Sequence, residues 1–125
     1  MDSAFHRFRA AEALGAAQAL RADHPGWALV PLFYSGMHLM HARFDEDGLP
    51  PEKRHPDQHK SYRDGGSIQT WGTLDVVRTE YSATLSRAYT SLFQASYATR
   101  YSSPLRGDGA RMWGNYDVIA GFCKP

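Results

Sequence analysis

Apolar positions recur along most of this chain in steps of three and four and alternate over no long stretch, which predicts helices and no sheet. Phe5, Phe8, Leu14 and Ala17 fall near helical spacing and predict a helix over residues 3–22, with Ser3 as its N-cap and Asp23, His24 and Pro25 ending it. Pro25 suits the first turn of a second helix carrying Trp27, Val30, Phe33, Tyr34, Met37, Met40, His41 and Phe44, closed by Gly48 and Pro50. Pro31, about a turn inside, predicts a late start or a kink.

The proline-rich linker LPPEKRHP follows, and Pro56 fits the first position of a short helix carrying Asp57, Gln58, His59, Lys60, Tyr62 and Arg63 until Gly65 and Gly66 stop it. From a Thr73 N-cap, Leu74, Val77, Tyr81, Leu85, Ala88, Leu92 and Ala95 predict one long helix to about Tyr101. Tyr89, Phe93, Tyr97 and Tyr101 make a second row on it, four residues apart, so it should pack on more than one neighbour. The final stretch has four glycines and no sustained period, and reads as irregular with room for one short helix, packed down by Trp113, Tyr116, Val118, Ile119 and Phe122. The expectation is an all-α bundle of four or five helices over residues 1–105, with an irregular tail over 106–125 packed on the bundle or on a partner.

Composition narrows the function classes. With 125 residues and 42% apolar content, one domain can bury a core without staples. Fourteen Lys and Arg against thirteen Asp and Glu leave a formal charge of +1, which lacks the broad positive field of a general nucleic-acid binder, so any contact with RNA must be local. A single Cys123 makes no internal disulfide, and Asp2, Arg7, Arg9 and Glu12 break up the N-terminal segment, which predicts a cytoplasmic protein with no membrane association.

The candidate chemistry lies in the middle of the chain. Arg54, His55 and His59 bring a permanent cation and groups titrating near neutrality into one short segment. Phe33, Tyr34, His38 and Ala42 precede a Gly48 and proline loop; His59 and Arg63 follow it, and the long helix closes on Tyr97, Arg100 and Tyr101. In this order, over about residues 25–104, the chain resembles the HEPN superfamily, small helical bundles found in RNA-cleaving toxins and defence proteins. The family's ribonuclease motif is an Arg, a polar residue and three others before a His, and Arg54, His55 and His59 match it.

The resemblance implies a symmetric homodimer whose paired motifs face one cleft and cut RNA without metal or other cofactor, with an antitoxin or complex subunit as a further protein partner. In that reading His59 is acid or base and Arg54 stabilises the growing phosphorane-like charge. His55 supports His59, and Arg63 or Lys60 holds a neighbouring phosphate.

Two other readings stand beside it. One is a HEPN-like interaction or nucleotide-binding module without catalysis, in which His59 and Arg63 join helices through backbone carbonyls or Asp57 and Asp64. The other is a metal-binding bundle using His38 with His41 and His55 with His59, although no Glu-x-x-His motif accompanies them. The aromatic rows are core by default and base-stacking platforms otherwise. Trp71 and Trp113 are expected to be partly exposed.

Overall fold

The computed structural model describes residues 2–102, 107 and 109–125. Among these, the helices are α1 (Ser3–Leu20), α2 (Pro25–Glu46), α3 (Thr73–Glu80), α4 (Ala83–Tyr101) and α5 (Ala110–Phe122). Between α2 and α3 lie a single 3-10 turn (Pro51–Lys53) and a hairpin of β1 (Tyr62–Asp64) and β2 (Ser67–Thr70). The fold is mostly helical, as the apolar periodicity predicts, and no helix of the described residues is long and apolar enough to cross a membrane.

Helix α2 is the central element, packed against α1, α4 and α5. This explains why its apolar residues exceed one stripe: Leu29, Leu32, Phe33, Met37, Met40 and Phe44 are all buried. Gly36 permits the approach of α5, since a Cβ there would already stand 3.4 Å from the Ile119 side chain. A polar tie crosses three helices, with Ser35 Oγ donating to the Ala10 carbonyl at 2.8 Å and meeting the Tyr116 hydroxyl at 2.8 Å. The helix starts at Pro25 and carries Pro31 inside, where the missing N–H leaves the carbonyl of the exposed Trp27.

Five local expectations are corrected. The N-cap of α1 is Asp2, whose Oδ1 accepts from Phe5 N at 2.8 Å, while Ser3 N donates to Asp45 Oδ2 at 2.9 Å. The single long helix from Thr73 is two helices. Tyr81 is extended (φ −132°, ψ −179°), and Ser82 caps α4 by accepting from Leu85 N at 3.2 Å. Tyr81 is drawn out of helical geometry by its own contacts: its hydroxyl donates to Asp47 at 2.8 Å, and its ring packs on Phe44 and Phe122.

No helix follows Pro56. Gly65 and Gly66 both adopt positive φ, the two-residue turn that joins β1 to β2. The tail is also more regular than expected, with Trp113, Tyr116 and Ile119 forming the buried side of α5. Trp113 is therefore buried rather than partly exposed, with the Arg21 guanidinium 4.1 Å from its ring, while Trp71 is half-buried under Lys53. The expected division at residues 105 and 106 lies outside the described residues.

Candidate functional site

His59 lies on an irregular segment that the start of α3 holds by backbone hydrogen bonds. The first two amides of a helix have no partner within it, and here Thr73 N donates to the Gln58 carbonyl at 2.8 Å and Leu74 N to the His59 carbonyl at 3.1 Å. Gly72 N donates to Ser61 Oγ at 2.9 Å. The backbones approach so closely that a Cβ on Gly72 would come within 2.7 Å of the His59 carbonyl oxygen. The glycine, in an ordinary extended conformation (φ −99°), is required by space rather than by torsion.

The half-buried His59 ring then lies among Phe33, Tyr34 and Phe93, with ring centroids at 5.5, 5.8 and 5.8 Å. Its Nδ1 is buried without a hydrogen-bond partner. Burial first, and the positive charge of Arg100 second, depress its basicity below the ordinary histidine value and so favour the neutral ring. Arg100 is oriented by the same aromatic wall, with Nη1 donating to the Tyr34 hydroxyl at 3.1 Å and Nε to the Ser96 carbonyl at 3.4 Å. An imidazole, a phenol and a fixed guanidinium thus come together from three segments: the 58–61 stretch, α2 and α4.

Arg54 has different partners. Its Nη1 donates to Asp45 Oδ1 at 2.6 Å, and it lines a hollow of about 310 Å³ with Asp2, His6, His41, Asp45 and Pro51. Arg54 and His59 thus take their side-chain contacts from different groups, and the cation acting on His59 is Arg100. His55 is exposed, and its carbonyl accepts from Gln58 N at 3.1 Å. Arg63, on β1, reaches Asp75 at 3.3 Å. Lys60 is exposed, with Nζ 5.6 Å from the centre of the Tyr97 ring.

His38 and His41 belong to a second cluster that sequence spacing disclosed only in part, because its third member, His6, comes from α1. The Nδ1 atoms of His6 and His38 are 2.9 Å apart, so one donates and the other accepts. His6 and His41 rings lie 5.4 Å apart, and His41 Nε2 meets Thr73 Oγ1 at 2.8 Å, linking the cluster to the start of α3. Burial is the main cause that lowers the basicity of all three, to about 4 for His38 and about 3 for His41. Among the described residues, no group of three or more His, Cys, Asp or Glu is arranged to hold a metal ion. Cys123 is buried against Met40 Sδ at 3.6 Å, and burial pushes its thiol up to about 12, so it is unreactive near neutrality.

Comparison with protein-family models, curated proteins and solved structures yields no match. The site is therefore read from its own geometry. Sequence reasoning chose His59 and placed Tyr34 and Arg100 in the same pattern, but assigned the cation to Arg54. The usable signal for Arg100 was its position on the last turn of the aromatic row of α4, three residues after Tyr97.

Proposed function

We propose that this chain is a HEPN-like helical module acting on RNA as a metal-independent endoribonuclease, with His59 as proton acceptor and Arg100 as the cation beside it. The observation that carries the reading is the convergence of His59, Tyr34 and Arg100 on one wall, in surroundings that favour the neutral imidazole. A neutral imidazole can take the proton of a ribose 2′-hydroxyl as that oxygen bonds to the adjacent phosphorus. The bond from phosphorus to the 5′ oxygen breaks, and the leaving oxygen takes a proton from water. Arg100 offsets the charge that gathers on the non-bridging oxygens. The products are a 2′,3′-cyclic phosphate and a 5′-hydroxyl end.

Exposed Lys60 supports a neighbouring phosphate contact, and HEPN-like assembly as a homodimer would bring two such sites together. The second reading, a module that binds RNA, a nucleotide or a protein partner without cutting, is favoured by the enclosure of His59 Nδ1 among aromatic rings.

Cleavage of single-stranded RNA in the presence of a chelator, measured against pH, tests the assignment. Arg100→Gln is expected to lower the rate on the order of 100-fold, the loss typical of one transition-state charge contact. It should also move the acid limb of the pH profile to higher pH, because removing the guanidinium charge lets His59 hold its proton longer. Arg54→Ala should leave both nearly unchanged. A collapse of activity in Arg54→Ala with Arg100→Gln unaffected would return the cation's role to Arg54.

A further inference from the structure

The aromatic row of α4 passes from core to solvent. Tyr89 and Phe93 are buried, whereas Tyr97 is 46% exposed and Tyr101 67% exposed. These two rings lie 4.8 Å apart, centre to centre, and Phe93 continues the row at 6.1 Å from Tyr97. Beside them is a hollow of about 330 Å³ lined by Lys60, Leu74, Thr90, Phe93, Gln94 and Tyr97.

Cations border both ends. Lys60 Nζ is 5.6 Å from the centre of Tyr97, and the Arg100 guanidinium 5.4 Å from that of Tyr101. Seven other Lys and Arg residues, Arg7, Arg9, Arg43, Lys53, Arg54, Arg63 and Arg78, make ion pairs with carboxylates. Among the described residues, Lys60 and Arg100 make none, as is also true of Arg21, Arg87, Arg111 and Lys124, but only these two flank the Tyr97 and Tyr101 rings.

We infer that Tyr97 and Tyr101 form a stacking site for unpaired bases of a single RNA strand, whose phosphates lie against Lys60 and Arg100 and lead toward His59. The inference rests on the RNA-directed reading above and adds to it the form of the substrate: bases must be splayed out to reach the rings, so a duplex is refused. Charge complementarity selects this occupant. Two cations without carboxylate partners beside flat aromatic faces match a polyanion with flat bases, while a second copy of the chain docked on the same patch would bring like charges together.

The test uses a fluorescent octanucleotide methylated at every 2′-oxygen, which cannot be cut because its nucleophile is blocked, with anisotropy as the readout. Loss of stacking is expected to weaken binding by about fivefold or more in each of Tyr97→Leu and Tyr101→Leu, since one stacked base contributes roughly 1–3 kcal/mol. Tyr97→Phe should bind as the wild type does, because the ring is kept, and a blunt duplex of equal length should bind far more weakly. Both residues are exposed, and thermal melts check that the variants fold.

Binding by both leucine variants within about twofold of wild type would overturn the inference, as would equal binding of the duplex or no binding by the wild type. Dissociation of a dimer by Tyr101→Leu without effect on the oligonucleotide would also overturn it, assigning the patch to a second copy. His59→Ala separates this inference from the nuclease reading: tyrosine-dependent binding with no RNA cut by any form leaves the stacking site standing and removes the enzyme. Cutting that requires His59 but is indifferent to both tyrosines does the reverse.

Discussion

His6 and His38 meet through their Nδ1 atoms at 2.9 Å, and only one proton fits between them, so the stack with His41 is built for neutral rings. Asp2 and Asp45 favour charge on His6, but burial outweighs them. A second proton on both facing rings would set two N–H donors against each other in a buried site. All three histidines hold fewer protons folded than unfolded, so their contribution is present above the ordinary value of 6.5 and is lost as pH falls toward about 4 for His38 and about 3 for His41. Thermal melts from pH 7.5 to 4.5 should show Tm falling through this window, and His38→Gln should flatten the slope. An unchanged slope in that variant would show that His38 stays neutral in the unfolded chain or charged in the folded one. His38 and His41 were legible as a pair because they lie one turn apart on α2, but His6 was not, since nothing in local spacing says which face of α1 meets them.

At the scale of elements, the start of α3 positions the candidate site. Its free amides hold the Gln58 and His59 carbonyls, and Gly72 admits that segment at a distance no side chain tolerates. Gly72→Ala should displace residues 59–61, reduce RNA cleavage and lower stability by about 1–3 kcal/mol, the range for a forced contact in a packed region; denaturant unfolding and the cleavage assay check both effects. The junction of α3 with α4 gives a cleaner measurement. Ser82→Ala removes the cap on Leu85 N and should cost about 1 kcal/mol, read from the urea midpoint at constant m-value.

The apolar period through Thr73 to Tyr101 predicted helix correctly on both sides of this junction. It concealed the break because Tyr81 keeps the helical register of apolar residues while its hydroxyl and ring are committed to Asp47, Phe44 and Phe122. Gly65 and Gly66 were read as a stop, although two adjacent glycines equally make a hairpin turn. In α5 the glycines hid the period: Gly114 and Gly121 are on its exposed side, with open space around them.

Over the whole molecule, α2 is buried between α1, α4 and α5, and His59 reaches the edge of this bundle on a segment with no helix of its own. That explains which part of the site was visible beforehand. The spacing from Arg54 to His59 carries spatial meaning only inside a regular element, and here a 3-10 turn and irregular chain send the two side chains to different partners. Arg100 arrives from α4 through tertiary packing, which single-sequence spacing does not encode. The low net charge agrees with a local site: seven of the fourteen Lys and Arg pair with carboxylates, and Lys60 and Arg100 lie against the aromatic wall. The proposed HEPN-like reading carries with it a homodimer; if it holds, light scattering after gel filtration should give twice the 14.0 kDa chain mass, and a single chain mass would count against it.

End-group analysis of single-stranded RNA incubated with the purified protein and a chelator bears most directly on the proposed chemistry. Fragments with 2′,3′-cyclic phosphate and 5′-hydroxyl ends are expected from the wild type, and none from a His59→Ala variant that melts at the same temperature. Intact RNA after wild-type treatment, or equal cutting by His59→Ala, would contradict it.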